Sequence, residues 1–211
     1  MNRVIIWDFD GTIADVVPVF LQIYNELAPS YGLKAVSDAD YQYLREQSVW
    51  TVMRWIGIKP WQFPGLLKDG RRLFVKSAGQ VNLFDGIAEL IKELHSQGIK
   101  QYILSSNSER SIRSIMKRYG LDDEVVVMKR PWFFGKAGNI RQLVMRKKYN
   151  KSTTWMIGDE VRDAKAGHKA GIRTVSVSWG LQAEEILKKQ NPDFLVGNVS
   201  QLSRILTSQN N

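Results

Sequence analysis

Two aspartates two residues apart, Asp8 and Asp10, stand just past the apolar run Val4-Ile5-Ile6-Trp7 and lead into Gly11-Thr12. Carboxylates placed like this repel each other and lose hydration, so a cation or a binding partner must offset them. An ordinary Asp-Gly turn would account for Asp10 but not for Asp8 as well. A second group of acids lies in Gly158-Asp159-Glu160-Val161-Arg162-Asp163. Asp159 and Asp163 are four apart and can share one face of a helix that starts there. Acids in a first helical turn are common dipole partners, which explains one or two of the three. An all-oxygen set of this kind also suits a hard cation.

Two further segments carry groups suited to an anion. Ser105-Ser106-Asn107 follows a predicted strand and precedes a predicted helix, whose free N–H groups and positive dipole end attract negative charge. The plainer reading is capping, with Ser106, Asn107 or Ser108 as the cap and Ser105 turned to a ligand. Lys136, in Phe133-Phe134-Gly135-Lys136, opens a predicted helix. A cation is electrostatically misplaced there unless an anion sits nearby, although an exposed, solvated lysine needs no partner.

The elements that would position these groups can be read from hydrophobic periodicity. Residues 3–7 form a buried strand that ends at the first aspartate. Residues 15–80 read as helical, with Pro60 and Pro64 breaking the stretch, and they are rich in large aromatics, among them Trp50, Trp55, Trp61 and Phe74. Strands then alternate with helices. Strands are expected at 99–104, 125–128, 153–157, 173–177 and 194–196. Helices are expected at 87–95, 109–119, 137–149, 161–170, 183–189 and 199–206, the last fraying into a polar tail at 208–211. Gly98, Gly120 and Gly171 stop three of the helices. Such alternation implies an α/β fold, a parallel sheet with helices on both faces. Ligands of these sheets bind beyond the carboxyl ends of the strands. Asp8, Ser105 and Asp159 all fall at predicted strand ends.

The bulk properties narrow the class. A chain of 211 residues suits one domain, or a core with a smaller insertion. With no cysteine, disulfides and thiolate metal sites are excluded, which fits a reducing cytoplasm. No segment reads as a signal peptide or as a membrane helix, so a soluble, cytoplasmic protein is expected. The net charge of +9 could serve nucleic-acid contacts or could draw small anions to a cleft. The densest basic run, Arg146-Lys147-Lys148 with Lys151 behind it, ends a predicted helix and lacks the interleaved aromatics of a stacking platform. A nucleic-acid partner is therefore not expected.

Taken in order, four segments resemble the haloacid dehalogenase superfamily of hydrolases, in its phosphoglycolate-phosphatase-like branch. They are Asp8-Phe9-Asp10-Gly11-Thr12, the strand end Ile103-Leu104-Ser105, Lys136, and Gly158-Asp159-Glu160-Val161-Arg162-Asp163, spread along residues 3–197. The resemblance implies a Rossmann-like core of residues 1–15 and 82–211 with a small all-helical cap inserted at 16–81. It also implies roles. Asp8 would be the nucleophile and Asp10 the acid and base. Mg²⁺ would be held by Asp8, Asp159 and the backbone carbonyl of Asp10. Ser105, Ser106 and Lys136 would bind phosphoryl oxygens. Asp163 and Thr12 would support these groups from behind. Asp15 matches an acid often found after the first motif, whereas Val16 stands where many relatives have Ser.

The implied substrate is a small phosphorylated metabolite, phosphoglycolate-like by default. Asp10 argues against dehalogenation, which needs no acid on the leaving group. A phosphomutase of the β-phosphoglucomutase kind, a nucleotide or nucleic-acid end phosphatase, and a silent phosphate-binding protein are the alternatives. Specificity should lie in the insertion, with Trp50, Trp55, Trp61 and Arg54 as candidates, unless those aromatics are simply its core. Trp132-Phe133-Phe134 could wall the pocket, dock the insertion or pack on the sheet.

Overall fold

A computed structural model describes residues 3–128 and 135–207. The segment Trp132-Phe133-Phe134 and the polar tail at 208–211 lie outside the described residues. The chain divides into two compact units, Met1–Asp15 with Asn82–Asn211, and Val16–Val81.

The first unit opens with β1 (Val4–Trp7) and β2 (Ala14–Asp15). The second unit carries four helices, α1 (Val17–Tyr31), α2 (Asp38–Leu44), α3 (Val49–Ile56) and α4 (Phe63–Ser77). The first unit resumes with β3 (Asn82–Leu83), α5 (Ile87–Ser96), β4 (Lys100–Ile103), α6 (Glu109–Arg118) and β5 (Val126–Val127). It continues through α7 (Gly135–Lys147), β6 (Thr154–Gly158), α8 (Val161–Ala170) and β7 (Arg173–Val177). It closes with α9 (Glu184–Lys188), β8 (Phe194–Val196) and α10 (Val199–Thr207).

Six strands form one parallel sheet in the order β5-β4-β1-β6-β7-β8. The all-apolar β1 is central and buried on both faces, as a strand covered by helices on each side must be. Its register sets Trp7 level with Ile103 of β4 and Ile157 of β6. The three strands therefore end side by side, and the residues just past them share one edge of the sheet.

On one face, Val4, Ile6 and Met156 pack with Ile140, Leu143 and Val144 of α7 and with Ala166 and Ala170 of α8. Each fully buried large side chain contributes about 1.5–3 kcal/mol. Helix α8 rides close to the sheet because a Cβ at Gly167 would strike Thr174 on β7. On the other face, the Trp7 indole N–H donates to Gln101 Oε1 at 3.1 Å, and Gln101 Nε2 donates to the Ile91 carbonyl of α5 at 2.8 Å. That link leaves no buried polar atom of Gln101 without a partner, which is what makes a buried glutamine tolerable.

One pairing was not expected from the sequence. Strands β2 and β3 form a short antiparallel pair where the chain leaves the sheet unit and returns to it. Two residues are too few to show a period-two pattern. Helix α7 also runs Gly135–Lys147 rather than 137–149.

In the four-helix unit, Phe20 of α1 and Phe74 of α4 meet edge-on with centroids 5.2 Å apart. The Tyr31 hydroxyl donates to Asp69 at 2.8 Å, joining the same two helices. Pro64 sits in the first turn of α4, where its missing N–H costs nothing. Trp50 and Trp61 are exposed, at 76% and 73%, so they are not the core of this unit. Trp55 instead lies under the Lys34 ammonium, 3.4 Å from its ring centroid. No helix among the described residues is long and apolar enough to cross a membrane.

Candidate active site

The Asp8 backbone N–H donates to the Ile157 carbonyl at 2.8 Å and so extends the central ladder by one residue. This pins its Cα at the sheet edge. Asp8 Oδ1 accepts the Phe9 N–H at 2.8 Å. Asp8 Oδ2 is buried and accepts no hydrogen bond from the described residues, but it faces Lys136 Nζ across 3.0 Å as an ion pair.

The chain then turns tightly, with the N–H groups of Thr12, Ile13 and Ala14 all directed at the Phe9 carbonyl. Gly11 holds φ +80 in this turn, and a Cβ there would collide with the Asp159 carboxylate. Asp10 is gripped from β4's end. Ser105 Oγ donates to its Oδ2 at 3.1 Å and Asn107 Nδ2 donates to its Oδ1 at 2.8 Å. Burial, then the neighbouring Asp8, push the Asp10 carboxyl up to about 6, against the pull of these two donors. A carboxyl in that range can both give and take a proton near neutral pH.

Asp159 follows β6 and is fully buried. Thr12 Oγ1 donates to its Oδ1 and the Leu181 N–H to its Oδ2, each at 2.7 Å. Burial, with Asp8 and then Asp163 nearby, still holds its carboxyl well above the usual carboxylate range. Asp163, in the first turn of α8, accepts the Glu160 N–H at 3.1 Å and pairs with Lys136. Burial raises its carboxyl too, and Lys136 only partly opposes this. Lys136 is itself buried. Burial alone would lower it, but Asp163 and Asp8 raise it, so it stays charged between them.

Oxygens of Asp8, Asp159 and Asp163 lie within 4.8 Å of one another. Three buried carboxylates that must share one lysine are short of positive charge, and three raised carboxyls express the same deficit as a demand for protons. A divalent cation would meet it. The donors are all oxygens, as a hard ion such as Mg²⁺ requires, so the residues present fit that ion.

The sheet thus gathers Asp8, Asp10, Thr12, Ser105, Lys136, Asp159 and Asp163 at one edge. Ser106 is near them, half-buried in the turn after Ser105. The cap of α6 is Ser108, which accepts the Ser111 N–H, and this frees Asn107 to hold Asp10. The sequence marks Asn107 only as a possible cap. The loop after β7 was missed altogether. The Trp179 indole donates to the Thr12 carbonyl at 3.2 Å, Leu181 holds Asp159, and Gln182 Oε1 accepts the Val161 N–H at 2.6 Å. The available signal was the end of the 173–177 strand, since this loop leaves the same edge as the motifs.

A parallel sheet with helices on both faces, carrying a strand-end cluster of aspartates around one lysine, defines a Rossmann-like α/β core with an acidic site at the carboxyl edge of its sheet. The sequence profile of the haloacid dehalogenase-like hydrolase family matches residues 5–177. The chain belongs to that family. It is 34% identical over 207 residues to a phosphoglycolate phosphatase of Synechococcus elongatus, covering 97% of both chains. It is 22% identical to an N-acetylmuramic acid 6-phosphate phosphatase of Pseudomonas putida, covering 98% of this chain and 96% of the other. In three dimensions it is similar to a haloacid dehalogenase-like family hydrolase of Streptococcus pneumoniae, with a TM-score of 0.79, 17% identity, and 97% and 98% of the two chains covered.

Proposed function

We propose that this haloacid dehalogenase-like phosphatase hydrolyses a small phosphomonoester, of the phosphoglycolate type, through an aspartyl-phosphate on Asp8. The observation that carries the reading is the unequal treatment of two adjacent carboxylates. Asp8 Oδ2 faces Lys136 and accepts no hydrogen bond from the described residues, while Asp10 is held at both oxygens with its carboxyl raised to about 6. The first arrangement suits a nucleophile and the second a proton carrier.

Asp8 Oδ2 attacks phosphorus as the bond to the leaving oxygen breaks, and Asp10 gives that oxygen its proton. Asp10 then takes a proton from the water that cleaves the acyl-phosphate bond, restoring Asp8. Lys136 and Ser105, with Ser106 beside them, hold the phosphoryl oxygens. Asp163 orients Lys136, and Thr12 orients Asp159. Asp8, Asp159 and the Asp10 carbonyl would hold Mg²⁺, with Asp163 behind them. When bound, the ion neutralises charge on the phosphoryl group in the transition state. The helical insertion, residues 16–81, serves as the cap that selects the leaving group, with Trp50, Trp61 and Arg54 as its candidate contacts.

The direct test is hydrolysis of an aryl phosphate. Activity should require Mg²⁺ and should fall at least about 1,000-fold in Asp8→Asn, since the covalent route is then closed. Activity surviving that substitution would sink Asp8 as nucleophile. A panel of phosphorylated metabolites then ranks the leaving groups.

A further inference from the structure

Arg162 stands in the first turn of α8, immediately before Asp163. Its guanidinium pairs with Glu160 Oε1, an oxygen that accepts no other hydrogen bond from the described residues. The two partners differ in exposure. The Glu160 side chain is 19% exposed, whereas that of Arg162 is 51% exposed. Arg162 is thus tied to Glu160 through Nη2 while about half of its side chain surface remains exposed, at 51%.

The arginine also belongs electrostatically to the site. It pulls the Asp10 carboxyl down, opposes the charge on Lys136, and is itself stabilised by Glu160, Asp8 and Asp163 against the cost of burial. Lys136, by contrast, is committed. It is wedged between Asp8 and Asp163 and is only 11% exposed. Among the described residues, Lys136 and Arg162 are thus one enclosed and one more accessible cation close to these aspartates.

We propose that Arg162 is a substrate-binding residue whose guanidinium exchanges Glu160 for an anionic oxygen group of the substrate. The planar fork matches a phosphoryl or carboxylate edge, and the tether to Glu160 keeps it at the rim when no substrate is present. This rests on the phosphomonoester reading above. It adds that the site selects for substrate anions through Arg162, a position inside the fourth segment to which the resemblance assigns no role.

The test compares Arg162→Ala, Arg162→Lys and Glu160→Gln on two substrates, an aryl phosphate and 2-phosphoglycolate, with inorganic phosphate as product inhibitor. Loss of a charged hydrogen bond should raise KM roughly 10- to 100-fold in Arg162→Ala. Arg162→Lys should recover part of this, because charge without the fork is retained. Glu160→Gln should lower KM for the same substrate, because the competitor is removed. If both substrates and the phosphate inhibition constant shift together, the group bound is the phosphoryl. If only 2-phosphoglycolate shifts, it is the carboxylate.

KM values within about 2-fold of the unmodified protein for both substrates would overturn the proposal. So would a Glu160→Gln variant that raises KM as Arg162→Ala does, because the pair would then be a structural clasp. Thermal unfolding of each variant separates these outcomes from misfolding. Should the unmodified protein hydrolyse neither substrate, the phosphatase reading fails by itself. Calorimetric binding of inorganic phosphate to Arg162→Ala then still decides the role of Arg162.

Discussion

Asp10 shows how one residue can be costly to the fold because of its place in the chemistry. Its carboxyl is raised from the ordinary 3.8 to about 6 by burial and by Asp8. A group that binds its proton more tightly in the folded state costs nothing below about pH 4, where both states are protonated. The cost grows as pH rises through about 6 and is complete above it. Asp10→Asn removes that cost and keeps the geometry. Without Mg²⁺, the variant should be more stable than the unmodified protein by on the order of 3 kcal/mol at pH 8. The gap should close towards pH 4, as urea unfolding at a series of pH values would read. The same substitution should abolish turnover.

At the scale of elements, the turn after β1 and the loop after β7 act together on Asp159. Thr12 and Leu181 take one carboxylate oxygen each, and Trp179 fastens the turn from outside. Gly180 lies between them, and a Cβ there would meet both the Gly11 carbonyl and the Asp159 side chain. Gly180→Ala should therefore displace the Asp159 carboxylate without opening the hydrophobic core. We expect a 10- to 100-fold loss in apparent Mg²⁺ affinity, the usual size for disturbed support of a ligand. Titration of activity against Mg²⁺ measures this, and a loss of folding instead of affinity would show that the loop's role is stability.

For the whole molecule, the sheet order explains why segments far apart in sequence meet at one edge. Strand β1 lies between β4 and β6, so Asp8, Ser105 and Asp159 emerge as neighbours although 97 and 151 positions separate the latter two from the first. The concentrated negative charge at that edge opposes folding, and a bound cation would relieve that cost. Mg²⁺ at about 100 times its dissociation constant should add about 2.7 kcal/mol of stability. That corresponds to a Tm rise of roughly 5–11 °C for a chain of this size, read by thermal scanning with and without chelator. Asp8→Asn should shrink the rise.

Much of this protein was legible in one dimension. The apolar run 4–7, the alternation of strand and helix periods from residue 87 on, and acids at strand ends are local patterns, and local patterns survive in a sequence. They determined the parallel α/β core, the helical insertion and the residues Asp8, Asp10, Ser105, Lys136, Asp159 and Asp163 as candidates. Only the tertiary structure decided which of them touch. The pairing of Lys136 with both Asp8 and Asp163, the capture of Asp10 by Asn107, and the clasp of the 178–182 loop on Asp159 depend on strand order and register. No periodicity records such contacts, because they join positions whose separation along the chain carries no information about distance in space. The β2–β3 pair was hidden for a related reason, since two residues are too short to carry a pattern. The sequence thus named the chemistry, and the sheet, by placing three strand ends side by side, decided its geometry.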